Sequence, residues 1–293
     1  MMPKNQSRAM LLGLIAVACW ATVATAFKLA LTGLTPRQLV TIASLVSVFI
    51  FAGVITRKRQ WPAAWQALRA SPRQYLLLGV LNPAVYYWVL FMAYDALPAQ
   101  QAQAINYSWA MAYSLLAIPV LGQKLSRREL CALGIAYSGV VVIATGGNWS
   151  LADSNWFGIS LALVSTLLWA SYWLINTRNT DAPSHALLWC FVIGFLVLVL
   201  AELIWPQQWP HWQNPVYLAA IYVGVFEMGL TFLLWLSALR LAVSSAQVSA
   251  LIFLSPVASL GLIYLVLGET IQLTTLIGLG AILLGLYLQR QQS

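Results

Sequence analysis

The chain has 293 residues, of which 61% are hydrophobic and 8% charged, against roughly 25% charged in an ordinary soluble domain. That excludes a soluble globular fold. Apolar runs of about 18 to 24 residues, long enough for a helix to cross hydrocarbon, also exclude a β-barrel, whose strands are short and alternate with period two. The net charge of +8 comes from basic residues in short connections between the apolar runs, which is a topology signal and not a nucleic-acid groove.

The predicted fold is an all-α membrane protein with ten transmembrane helices, at about 10–30, 38–56, 74–94, 101–121, 129–147, 157–177, 185–205, 215–238, 244–266 and 272–289. The first run, from Met10 to Ala30, is too long for the apolar region of a cleavable signal peptide. With a cytoplasmic N-terminus, the inner segments hold Lys4, Arg8, Arg57, Lys58, Arg59, Arg69, Arg73, Lys124, Arg127, Arg128, Arg178, Arg240 and Arg290. The outer loops hold Arg37 alone. That asymmetry places both termini inside. The segment 57–73, with Trp61 and Trp65 beside Arg59 and Arg69, reads as an amphipathic stretch along the inner surface.

The first span carries Trp20, Thr22, Thr25 and, near its outer end, Lys28. Lys28 either meets a substrate carboxylate or snorkels to the interface. The third holds Asn82 and Pro83 followed by Tyr86, Tyr87 and Trp88. A proline inside a span removes a donor and frees a carbonyl, so this stretch is a candidate pocket wall or a packing kink. In the fourth, Gln100, Gln101 and Gln103 lie near the outer end, where interfacial solvation is ordinary. Asn106 and Trp109 are deeper and share a helical face, offering an amide and a flat wall, unless Asn106 only bridges helices.

The polar break after the fifth span contains Gly146, Gly147, Asn148, Asp153 and Asn155. Trp169, Tyr172 and Trp173 continue the aromatic theme in the sixth span, and His185 and His211 read as solvated residues at loop edges. The eighth span has one carboxylate, Glu227, near its middle. A charge at that depth faces other helices or water, and it serves a substrate or a proton unless it is a packing residue. In the ninth span Pro256, after Ser255, marks a hinge or a structural kink. Cys19, Cys131 and Cys190 have no motif spacing and read as small buried hydrophobes, with no metal or disulfide implied. Gly278, Gly280 and Gly285 in the last span suit packing within the monomer or against another copy.

The two halves share a pattern. Trp20-Ala21 answers Trp169-Ala170, Gly79-Val80-Leu81-Asn82 answers Gly224-Val225-Phe226-Glu227, and Leu121-Gly122-Gln123 answers Leu267-Gly268-Glu269. An odd number of spans per copy inverts the second copy, which predicts two inverted five-helix repeats, 9–147 and 157–290, with a substrate site between them near the midplane.

Cys19-Trp20-Ala21 with Lys28, Ser255-Pro256-Val257 and Leu267-Gly268-Glu269 carry a resemblance to the EamA-type drug/metabolite transporter family over about residues 9–290. The resemblance implies ten helices in two inverted repeats, both ends cytoplasmic, and export of amino acids or related metabolites. Ile105-Asn106-Tyr107-Ser108-Trp109-Ala110 is similar to a Val-Asn-Tyr-Leu-Trp-Pro pattern of the aromatic and neutral amino-acid exporters, with alanine in place of the proline. Ser44, where many members carry arginine, looks closer to the same branch, and Gly122-Gln123 departs from the common Gly-Glu.

The expected function is therefore a secondary transporter of the bacterial inner membrane. It exports amino acids or similar amphipathic metabolites by alternating access, with proton coupling at Glu227, and a multidrug or organic-cation antiporter is the alternative. The expected binding residues are Trp20, Asn82, Tyr86, Tyr87, Asn106, Trp109, Trp169, Tyr172 and Glu227, with gating at Pro83 and Pro256. No cofactor, metal, nucleic acid or catalytic constellation is expected, and the unit is a monomer in lipid.

Overall fold

A computed structural model describes residues 4–122, 126–146, 154–176, 179 and 181–290. Gln123, Lys124, Gly147, Asn148, Asp153 and Arg178, named above, lie outside them. Among the described residues the regular structure is helical: α1 (Gln6–Leu31), α2 (Pro36–Arg57), α3 (Trp61–Ala70), α4 (Pro72–Gly79), α5 (Tyr86–Ala96), α6 (Ala99–Asn106), α7 (Trp109–Leu121), α8 (Arg127–Thr145), α9 (Trp156–Asn176), α10 (Pro183–Ile204), α11 (Val216–Val223), α12 (Leu230–Leu241), α13 (Ser245–Ala250), α14 (Leu254–Leu262) and α15 (Leu273–Arg290). Eight helical runs among these residues are long and apolar enough to cross a membrane. The chain is a multi-pass helical bundle. Of the two other expected spans, 101–121 is interrupted at Tyr107 and Ser108 between α6 and α7, and 272–289 is present as a shorter apolar helix.

Local sequence explains where the helices begin and end. Thr35 and Gln38 form a reciprocal capping box on α2, as Ser126 and Glu129 do on α8, each satisfying donors that a helix start leaves free. The two Leu-Gly pairs matched in the sequence adopt the same conformation. Gly122 closes α7 and Gly268 closes the run after α14, each at φ +68°, a left-handed cap that a side chain would strain.

Hydrogen bonds sort the helix ends into two sets. At the end that carries the basic segment 57–73, the Leu241 carbonyl accepts from the Asn5 amide at 2.9 Å and Trp189 Nε1 donates to the Ala64 carbonyl at 2.7 Å. The second bond, with Trp65 tilted against Trp189 at 4.5 Å, anchors α3 to α10. At the opposite end Arg37 Nε pairs with Glu202 at 2.9 Å, and its guanidinium also donates to the Trp205 carbonyl. Large side chains such as Phe49, Leu218 and Leu265 point outward, the last 75% exposed, as lipid-facing residues do. Cys131 is exposed on α8 rather than buried, and Cys19 is half-buried. His185 is buried, against the expectation of a solvated residue, and the turn before it is tied down by Tyr75, whose hydroxyl donates to Asp181 at 2.5 Å.

Two spans are broken at matched places. A kink over Val80–Val85, with Asn82 in an extended conformation (φ −143°, ψ 116°), separates α4 from α5, and a π-helical turn, Gly224–Gly229, separates α11 from α12. Both lie where another helix presses close. A Cβ on Gly224 would sit 2.7 Å from the Ala43 carbonyl of α2, and one on Gly79 would sit 2.7 Å from the Cys190 carbonyl of α10. A turn of this kind frees carbonyls that lipid cannot satisfy. Ser47 Oγ donates to the Gly224 carbonyl at 2.9 Å and Thr231 Oγ1 to the Phe226 carbonyl at 2.5 Å.

Candidate functional site

The second broken span positions Glu227. Because the π-helical turn adds a residue to the helical repeat, Glu227 and the later Phe232, Trp235 and Leu239 all reach one cavity of about 710 Å³, within the range of small-molecule sites. Tyr87, on α5, donates its hydroxyl to Glu227 Oε1 at 3.0 Å, so the two helix breaks are joined by the carboxylate between them.

Trp169 is the hub of the wall. Tyr86 stacks on it at 4.5 Å and Tyr172 at 5.5 Å, while Trp109 and Phe232 approach at 6.4 and 6.1 Å. Phe232 also contacts Trp20 edge-on at 5.9 Å. Rings arranged edge-to-face and offset hold one another in place without filling the space between them. Asn106 lines the cavity and donates Nδ2 to Ser165 Oγ at 3.0 Å, so it both bridges helices and faces the lumen.

Of the residues expected from sequence, Trp20, Tyr86, Asn106, Trp109, Trp169 and Glu227 line the cavity. Tyr87 and Tyr172 stand behind the wall, one bonded to Glu227 and the other stacked on Trp169. Asn82 is fully buried in the first helix break and does not line the cavity. Pro83 packs at that break against α10, where a Cβ on Gly194 would lie 2.7 Å from its Cγ. Pro256 sits in the first turn of α14, directly after a 3₁₀ turn, Leu251–Phe253. Both prolines thus occupy discontinuities. Phe232 and Trp235 are lining residues that the sequence reading misses, although their place five and eight residues after Glu227 is a usable signal once the extra residue of the turn is allowed for.

The cavity is one-sided. Its described lining runs from mid-bundle to Glu129, Leu239 and Leu286, at the end that carries the basic segment, and stops at Tyr94 and Gln103 toward the other. That other end is bonded together. Glu269 accepts from the Ala99 and Gln100 amides at 2.9 and 3.3 Å, the first free donors of α6. Gln100 donates to the Thr270 carbonyl at 2.7 Å and accepts from the Gln272 amide at 3.0 Å. Gln100 and Gln103 are 4% and 5% exposed, so they are not the solvated interfacial residues expected.

Lys28 belongs to the same closure. Its ammonium donates to the Tyr94 and Leu97 carbonyls at 2.7 and 2.9 Å, capping the C-terminus of α5, where positive charge is favourable. It neither snorkels nor lines the cavity. Lys28→Met is expected to lower stability by about 1.5 kcal/mol, the low end for charge-assisted bonds, as a fall in thermal unfolding temperature, with substrate binding retained. Loss of binding in a folded variant would instead assign Lys28 to the substrate.

Among the described residues no group of three or more histidine, cysteine, aspartate or glutamate side chains could hold a metal. Comparison with known proteins gives a consistent picture. The model of the EamA-like transporter family matches twice, over residues 7–145 and 156–290. The chain is 23% identical over 243 residues to the aromatic amino acid exporter YddG of Ancylobacter novellus, covering 79% of each protein, and 24% identical over 242 residues to that of Escherichia coli, again 79% of each. An uncharacterized transporter of Archaeoglobus fulgidus is 24% identical over 282 residues, 94% of this chain and 95% of the relative. A solved crystal structure superposes with a TM-score of 0.69 at 19% identity, covering 99% of this chain and 100% of that one, which supports the fold.

Proposed function

Since the chain belongs to the EamA-like transporter family, we propose that it is a secondary transporter that exports amino acids or related small amphipathic metabolites by alternating access. The observation that carries this reading is the one-sided cavity, about 710 Å³, with Glu227 and a tryptophan-centred wall inside it and the Glu269, Gln100 and Lys28 bonds across its closed end. A transporter needs one site that opens to either side in turn. In this reading ten helices form two inverted five-helix repeats, 9–147 and 157–290, and both termini are cytoplasmic in the bacterial inner membrane. The cavity then faces the cytoplasm, as an exporter loading its substrate would. The matched helix breaks and the matched left-handed glycine caps support the repeat, and the basic segment at the open end supports the orientation.

In the same reading Trp20, Tyr86, Asn106, Trp109, Trp169 and Glu227 contact substrate, Asn82, Tyr87 and Tyr172 hold that wall, and Pro83 and Pro256 are hinges. Glu227 exchanges a proton for substrate. A second reading, an organic-cation antiporter, is favoured by the absence of lysine and arginine among the described lining residues.

The test is uptake into proteoliposomes across neutral and aromatic amino acids, polyamines and aromatic cations, with and without a pH gradient. Saturable movement of neutral amino acids, accelerated by the gradient, is expected. Movement of cations alone would select the second reading, and no saturable movement of any solute would overturn transport altogether.

A further inference from the structure

The charge inventory of the cavity narrows its substrate. Among the described lining residues the carboxylates are Glu227, in mid-bundle, and Glu129, at the open end, and none is lysine or arginine. The two cations nearest the closed end are already engaged. Lys28 spends its ammonium on two backbone carbonyls, and Arg37 is 4% exposed, paired with Glu202 and the Trp205 carbonyl. A substrate carboxylate in mid-cavity would therefore find no lysine or arginine among the described lining residues, and it would share the lumen with Glu227, a like charge that disfavours it.

An ammonium meets the opposite environment. Glu227 supplies a carboxylate oriented by the Tyr87 hydroxyl at 3.0 Å. The Tyr87 ring lies 6.3 Å from that of Trp169, which is itself 6.1 Å from Phe232. An anion beside a set of aromatic faces is how an organic cation is held, by charge at one point and by cation–π and apolar contact around it. Trp20, Trp109 and Phe232 offer an apolar body its surface.

We propose that the cavity recognises a protonated primary amine on an aromatic or apolar body, an arylalkylamine type of solute, with Glu227 as the specificity-determining residue, Tyr87 as its positioning residue and a carboxylate on the substrate unfavourable. The proposal rests on the transporter reading above and, within it, on the organic-cation alternative, whose cation it specifies; it takes the place of the amino-acid substrate.

The experiment measures binding to the purified full-length protein, and flux in proteoliposomes, for four probes that share one ring: 2-phenylethylamine, phenylalanine, 3-phenylpropionate and 2-phenylethanol. The amine is expected to bind at least 10-fold more tightly than phenylalanine, and the acid most weakly. Glu227→Gln, which keeps the shape and can still accept from Tyr87, is expected to weaken the amine roughly 10- to 100-fold, the span of a charge-assisted bond, and 2-phenylethanol, whose hydroxyl keeps a neutral acceptor, by no more than about 5-fold. Tyr87→Phe is expected to weaken the amine by about 5-fold and the alcohol by less, a split that a merely structural loss would not produce. Saturable flux of phenylalanine with no preference for the amine, or amine binding indifferent to Glu227→Gln while the alcohol still binds, would overturn the amine proposal and leave the transporter reading standing. Neither binding nor flux of any probe would overturn both.

Discussion

Gly278→Leu is expected to destabilise the folded bundle by about 3 kcal/mol, the upper end of ordinary overpacking costs, and to lower the yield of monodisperse protein in detergent. The cause is the seam between α8 and α15, where backbones touch. A Cβ on Gly278 would lie 2.5 Å from the Gly139 carbonyl, and two turns further on a Cβ on Gly285 would lie 2.6 Å from the Ala132 carbonyl and 2.8 Å from Ala136 Cβ. The neighbours at closest approach include backbone oxygens, which cannot rotate away as a side chain can, so the helices themselves must part. Small residues that let helices approach closely are a main source of helix association in lipid.

The control is Gly280→Leu on the same helix. Nothing lies within 4 Å of a Cβ there, so the substitution gains helix propensity and is expected to stay within about 0.5 kcal/mol of the parent or improve on it. Thermal unfolding of the two variants side by side decides the matter, and equal stability would refute the seam. The pair also separates the two packing roles open to these glycines: Gly278 and Gly285 face α8 within the chain, and Gly280 does not.

Much of this architecture is legible in the amino-acid sequence, for reasons that differ by residue. The multi-pass helical class follows from run length and the scarcity of charge, which are local properties. The Gly-x-x-Asn and Gly-x-x-Glu strings fall on the two helix breaks, and the Leu-Gly pairs fall on left-handed caps, because both features need a missing side chain at a set place and therefore leave a mark in sequence. Glu227 stands out because a lone carboxylate in an apolar run is costly.

What the sequence hides depends on partners far away in the chain. Gln100 and Gln103 look alike in sequence, both read as solvated interfacial residues, yet Gln100 closes one end by bonding residues 170 and more positions away, while Gln103 reaches the cavity. Lys28 reads as either a partner for a substrate carboxylate or an interfacial cation until α5 is seen to end beside it. Trp235 is hidden by the turn at Gly224–Gly229, which shifts every later residue relative to an ideal helix and so defeats a count by 3.6. Asn82 is the natural counterpart of Glu227 by repeat, but its backbone is extended and its side chain buried, so equivalence in sequence does not mean equivalence toward the cavity.

Glu269→Ala is expected to open the closed end. Its carboxylate is the acceptor for the first two amides of α6, held against a helix N-terminus where negative charge is favoured. It also fixes the loop whose Thr270 and Gln272 backbone groups bond Gln100. These bonds join the loop before α15 to the start of α6, and a movement that opened this end between them would break them all. They therefore stabilise the state seen here over one open at that end. Losing the Glu269 contacts removes about 2 kcal/mol from the closed state, the upper range for a helix cap, and a shift of that size changes the ratio of two states about 30-fold. In a background with Cys19, Cys131 and Cys190 replaced by serine, spin labels at Asp95→Cys and Leu273→Cys, two exposed positions flanking the closure, report the distance across it. The parent is expected to give one short distribution, Glu269→Ala a second and longer one, and Glu269→Gln an intermediate share, since its amide oxygen can still accept one of the two bonds. An unchanged distribution in Glu269→Ala, with the protein folded, would show that the closed end is held by Lys28 and Gln100 without it.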